Sequence, residues 1–94
     1  MAAVSNYHVR RALIEALFSF YCPQDLNTVM CDDRIILLAC DPARIKVQWD
    51  ELTAAGYLLP VQGWPEHRSL SPALRKKLEE GRTLLDDPLL AGPR

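Results

Sequence analysis

An α+β fold of four helices and one two-stranded hairpin is predicted for this chain by three features. A helix opens on Asp41-Pro42 and closes on Gly56. Asp is a good N-cap, Pro fits the first helical position where a missing N–H costs nothing, and Gly supplies a left-handed stop. Two short strand candidates follow directly, residues 57–61 and 66–70, around the turn Gln62-Gly63-Trp64-Pro65. Ser71-Pro72 then opens another helix. Helix, hairpin and helix in that order make the outline of a winged helix-turn-helix.

The first helix is read over residues 7–21, after a frayed leader at 1–6. Val9, Leu13, Ala16 and Phe20 form one stripe, which Ile14, Leu17, Phe18 and Tyr21 broaden. So wide an arc suits a central helix that also meets a second subunit. Cys22-Pro23 ends it, because the residue before proline avoids the α region. Residues 28–39 have the length of a second helix, capped by Asp25 or Asn27, with Asp32-Asp33 on its exposed side. The outline leaves room for a first short strand before the second or third helix.

The third helix, residues 42–55, has Ile45, Trp49 and Leu52 on its core edge. Arg44, Lys46, Val47 and Asp50 take the opposite edge, flanked by Gln48 and Glu51. The fourth, residues 72–80, buries Leu74 and Leu78, exposes Arg75, Lys76 and Lys77, and stops at Gly81. The tail at 82–94 carries Leu84, Leu85, Leu89 and Leu90. Four leucines are many for a segment left in water, so docking on the first helix or on a partner is expected. The whole chain, 1–94, is read as a single domain with its core at 7–81.

Ninety-four residues with 49% hydrophobic and 24% charged side chains suit one modest core without metals or disulfides. The net charge of −1 weighs against strong non-specific binding to nucleic acid, which needs a basic excess to neutralise phosphates. A locally basic face on a dipolar molecule remains open. Cys22, Cys31 and Cys40 cannot all pair within one chain, and their nine-residue spacing resembles no zinc pattern. They are read as free thiols in a reducing cytosol. No apolar run approaches the ~18 residues that a membrane span requires. A cytoplasmic protein without a membrane is expected.

The segment from Ile45 through Trp49, Leu52, Gly56 and Tyr57 to Leu58 resembles the recognition-helix-to-wing passage of bacterial winged-helix regulators, the ArsR, MarR and PadR type. Leu70-Ser71-Pro72 with Leu74 and Leu78 is similar to the start of their final helix. A narrower resemblance is to the small winged-helix proteins of Mu-like prophages. It rests on the helix bearing His8 to Leu17, the segment led by Asn27, and the tail residues Gly81-Arg82 and Gly92-Pro93-Arg94. The resemblance implies DNA binding by a transcription regulator, and the broad arc of the first helix and the tail leucines suggest a homodimer, in which two modest recognition faces act together. The chain departs from it in one respect: Asp50 and Glu51 offset Arg44 and Lys46 on the helix that would read DNA.

On that reading Arg44, Lys46, Val47 and Gln48 are the candidates for the major groove of double-stranded DNA. Arg and Lys bond guanine edges, Gln bonds adenine, and Val touches a thymine methyl. His67 and Arg68 would lie on the wing, near the minor groove or a phosphate. Arg10-Arg11 and Arg75-Lys76-Lys77 would add phosphate contacts. The same composition also describes a solvated helix face. The rival reading is a protein-interaction module, such as one within a phage or prophage assembly. There Trp64 on the wing and Leu84, Leu85, Leu89 and Leu90 of the tail would bind the partner. Catalysis has little to rest on: His8 and His67 have no nucleophile or carboxylate at a telling spacing, and the four glycines form no phosphate loop. No enzyme, metal or cofactor is expected.

Overall fold

The computed structural model describes residues 4–20, 22–81 and 87–91. Helix α1 (Asn6–Phe20) begins at Ser5, whose hydroxyl accepts from the His8 N–H at 3.2 Å. Strand β1 (Gln24–Asp25) is followed by two one-turn helices, α2 (Leu26–Val29) and α3 (Asp33–Ile36). Then come helix α4 (Pro42–Ala54), strands β2 (Leu58–Val61) and β3 (Trp64–Leu70), helix α5 (Pro72–Glu79) and the one-turn α6 (Pro88–Ala91). The three strands form an antiparallel sheet in the order β1-β3-β2. The fold is therefore α+β, but the described residues hold six helical segments and three strands rather than four helices and a two-stranded hairpin.

The expected second helix at 28–39 is the main departure. The Asp32 carboxylate accepts the Arg34 N–H at 2.9 Å and starts a new turn, as a short acidic side chain does when it competes for a nearby backbone donor. Burial rewards the break. Val29 and Ile35 are six residues apart, which on one straight helix would set them about 120° apart around the axis. The broken chain buries both, at 0% and 3% exposure, and leaves Ile36 and Leu37 in water at 59% and 83%. Ala39 then turns the chain at a φ of 51°, in the left-handed region.

The signals around the third helix act as the sequence predicts. The Asp41 carboxylate accepts the Ala43 N–H at 2.8 Å, Pro42 stands in the first turn, and Gly56 has a φ of 85°. Gly63 repeats that φ at the β2–β3 turn. The Ser71 hydroxyl caps α5 on the Leu74 N–H at 3.3 Å. Pro60 sits on the edge strand β2, where its missing donor interrupts no inner ladder. The pairing shifts between Pro60, opposite Arg68, and Val61, opposite Trp64. The shift leaves residues 65–67 of β3 out of the β2 ladder, and His67 pairs with Asp25 on the other side.

One core holds these elements together. Val9, Leu13, Ile14, Ala16 and Leu17 of α1 meet Ile45, Trp49 and Leu52 of α4, Leu58 and Leu70 of the sheet, and Leu74 of α5. The wide arc of α1 is thus taken up within the chain: α1 packs on α2, α3, α4, α6 and β3. Leu90 of α6 is buried in the same core, with Leu89 packed against it. Among the described residues no helix is long and apolar enough to cross a membrane.

Candidate functional site: the outer face of α4 and the hairpin

Helix α4 buries Ile45, Gln48, Trp49 and Leu52 and exposes Lys46, Val47, Asp50 and Glu51. Gln48 corrects the sequence reading. It lies inside at 3% exposure, and its Oε1 accepts from Arg10 Nε at 2.7 Å, so it faces α1 and not the outer surface where a base edge would come. Val47, half exposed at 51%, does lie outward. Lys46 lies outward too, with its Nζ 2.7 Å from Asp50 Oδ2. A surface pair at i,i+4 is worth only about 0.3–0.5 kcal/mol, so Lys46 is available to a stronger partner.

The arginines are more firmly engaged. Arg44 donates from Nε and Nη2 to Asn6 Oδ1 at 3.0 and 2.8 Å, which turns it toward the start of α1. Arg68 donates from Nη1 to the carbonyls of Pro65 and His67, both at 2.8 Å, and from Nε to Thr53 Oγ1 at 3.3 Å. It is half-buried and ties the hairpin to α4. Arg10 and Arg11, expected to face phosphates, donate instead to the tail carbonyls of Leu89 and Leu90 at 2.9 and 2.6 Å. The Arg75 guanidinium lies over the Phe18 ring, 5.5 Å from its centre. His67 is half-buried, with its ring centre 5.3 Å from that of Trp64.

Trp64 stands at the start of β3 and is 62% exposed. The tail leucines divide. Leu89 and Leu90 pack on the chain's own core beside α1, the first of the two dockings expected for the tail, which replaces their assignment to a partner, while Leu84 and Leu85 lie outside the described residues.

Between the start of α2, the outer side of α4 and the middle of β3 lies a cleft of about 330 Å³. Leu26, Trp49 and Pro65 give it apolar walls. Asp25, Asp50 and Glu66 bring three carboxylates to it, against Lys46 and Arg68. The Thr28 hydroxyl donates to Asp25 and holds its carboxyl below the ordinary aspartate range. A phosphate backbone entering between α4 and the hairpin would therefore meet more acid than free base. Among the described residues no three His, Cys, Asp or Glu side chains converge as ligands for a metal ion.

Sequence reasoning missed Asp25 and Glu66 as neighbours of α4, because only the sheet order brings β1 and β3 beside it. It also missed the bond from the Tyr57 hydroxyl to Asp87, at 2.8 and 2.7 Å to the two oxygens, which spans 30 residues. Comparison with known protein families, with curated proteins and with solved structures finds no match.

Proposed function

We propose that this chain is a winged-helix module that docks a protein partner through the outer face of α4 and the β2–β3 hairpin. The observation that carries the reading is Trp64. A tryptophan held 62% exposed on a strand fixed by its neighbours is a large, rigid contact, of the kind that dominates interface energies. Val47 adds apolar area on α4, and the acid-rich cleft beside it is poorly matched to phosphate.

The winged-helix part of the proposal is supported by element order. Helix α1, strand β1, the broken pair α2 and α3, then α4 and the hairpin follow the succession that the sequence outlines, and α4 keeps one side in water. That same order supports a second reading, duplex DNA binding, in which Lys46 and Val47 meet base edges. Of the six residues first assigned to DNA, these two have exposed side chains, while Arg44, His67 and Arg68 are half-buried and Gln48 is inside.

Anisotropy of a labelled duplex, titrated from low to high salt, separates the two readings. Docking to a protein predicts no saturable binding of random or genomic fragments at low salt. Saturable binding that falls with salt, and that Lys46→Ala weakens, would replace it with the DNA reading. On the docking reading, capture of a partner from cell extract is lost with Trp64→Ala and kept with Lys76→Ala. Sedimentation of the same preparations tests whether the module acts as a homodimer.

A further inference from the structure

The guanidinium of Arg10 joins three elements at once. Nε donates to Gln48 Oε1 at 2.7 Å and Nη2 to Glu51 Oε2 at 2.9 Å, both on α4. Nη1 donates to the Leu89 carbonyl on α6 at 2.9 Å. The side chain is only 12% exposed and lies 5.3 Å from the centre of the Tyr7 ring, so it is well fixed. Helix α6 is a single turn, too short to persist without support. Its support is visible: Leu90 fully buried, Arg11 on the Leu90 carbonyl at 2.6 Å, and Asp87 accepting from the Tyr57 hydroxyl and from the Leu89 N–H.

We propose that Arg10 is a positioning residue that couples the docking of residues 87–91 to the seat of α4, so that the tail governs the α4 face. When α6 leaves, Arg10 loses one acceptor and the cover over it opens to water. A guanidinium gains from hydration, and if it swings outward it takes its bonds from Gln48 and Glu51 with it. Gln48 is then a buried amide without its charged partner. The tail and the outer face of α4 thereby share one equilibrium. Whatever pulls the tail away changes affinity at α4, and a partner on α4 changes tail docking by the same factor. The inference rests on the proposed reading only for which surface the partner uses.

Amide hydrogen exchange in the full chain tests the coupling without any partner. Leu90→Ala weakens docking, and α5 serves as the internal standard. The expected result is exchange at residues 48–52 raised about tenfold more than at residues 72–79. In an Arg10→Met background the same Leu90→Ala change moves both segments alike. Arg10→Met also lowers the Tyr57 ionisation from its raised position near 12 toward the ordinary value, because the burial of its hydroxyl and then its contact with Asp87 are both loosened. If Arg10→Met does not fold, Arg10→Lys keeps the charge without the fork and gives the same loss of selectivity. Equal rises in α4 and α5 with Arg10 present, together with an unmoved Tyr57 titration, overturn the proposal. Failure of the protein to dock a partner leaves these readouts unchanged, and failure of the coupling leaves the docking assays unchanged.

Discussion

Arg10 Nε and Gln48 Oε1 stand 2.7 Å apart, across 38 residues of sequence, and this contact brings a charged guanidinium into the seam between α1 and α4. Gln48 is the buried polar residue of the described core. Removing its acceptor strands a donor that belongs to a charge. Gln48→Leu, similar in size, is therefore expected to cost about 1–3 kcal/mol in urea unfolding despite its greater hydrophobicity. If Gln48→Leu is neutral or stabilising, Arg10 finds water instead and the contact is incidental.

Trp49 is the largest side chain of α4 in the core, at 2% exposure. Trp49→Ala is expected to cost about 3–5 kcal/mol, from lost burial together with the cavity left behind. A cost under about 1 kcal/mol would mean that the ring is not packed as described.

Ala39 holds a φ of 51° between α3 and α4. A left-handed alanine costs roughly 1–2 kcal/mol, and the extra freedom of glycine in the unfolded chain returns about 0.4–1 kcal/mol of that. Ala39→Gly should stabilise the protein by about 0.5–1 kcal/mol, an increase in the urea midpoint at unchanged slope. A lowered midpoint would show that the left-handed turn is not populated.

Tyr57 is pushed up to about 12 from 10.0, by burial first and then by Asp87, which accepts its hydroxyl and repels the phenolate. A pKa raised by folding contributes stability that is complete below the unfolded value and is lost as pH rises through the folded one. The window is thus pH 10 to 12. Urea midpoints should fall across it more steeply for the native chain than for Tyr57→Phe. Ultraviolet titration should lose its latest tyrosinate step in that variant. Parallel declines in the two proteins would remove Tyr57 as the cause.

The sequence by itself determined the parts that local chemistry decides. Asp41-Pro42, Gly56, Gly63 and Ser71-Pro72 act within a turn of where they stand, so the limits of α4, the turn at Gly63 and the start of α5 were legible from residue types, while Trp64 and Pro65, read as turn, begin β3. The alternation of Ile45, Trp49 and Leu52 named the inner edge of α4 because helical period and burial coincide there. Only the tertiary structure decided which neighbours each polar group would meet. Gln48 lay between the two edges of a helical wheel, and its burial depended on Arg10 arriving from α1. Arg44, Arg68 and Arg11 looked like free cations until Asn6, two hairpin carbonyls and the tail took their hydrogen bonds. The run at 28–39 had helical length, yet the Asp32 cap and the burial of both Val29 and Ile35 outweighed continuity. Capping and period act over three or four residues and can be read along a chain; the acceptors a guanidinium meets 38 or 79 residues away are decided by packing.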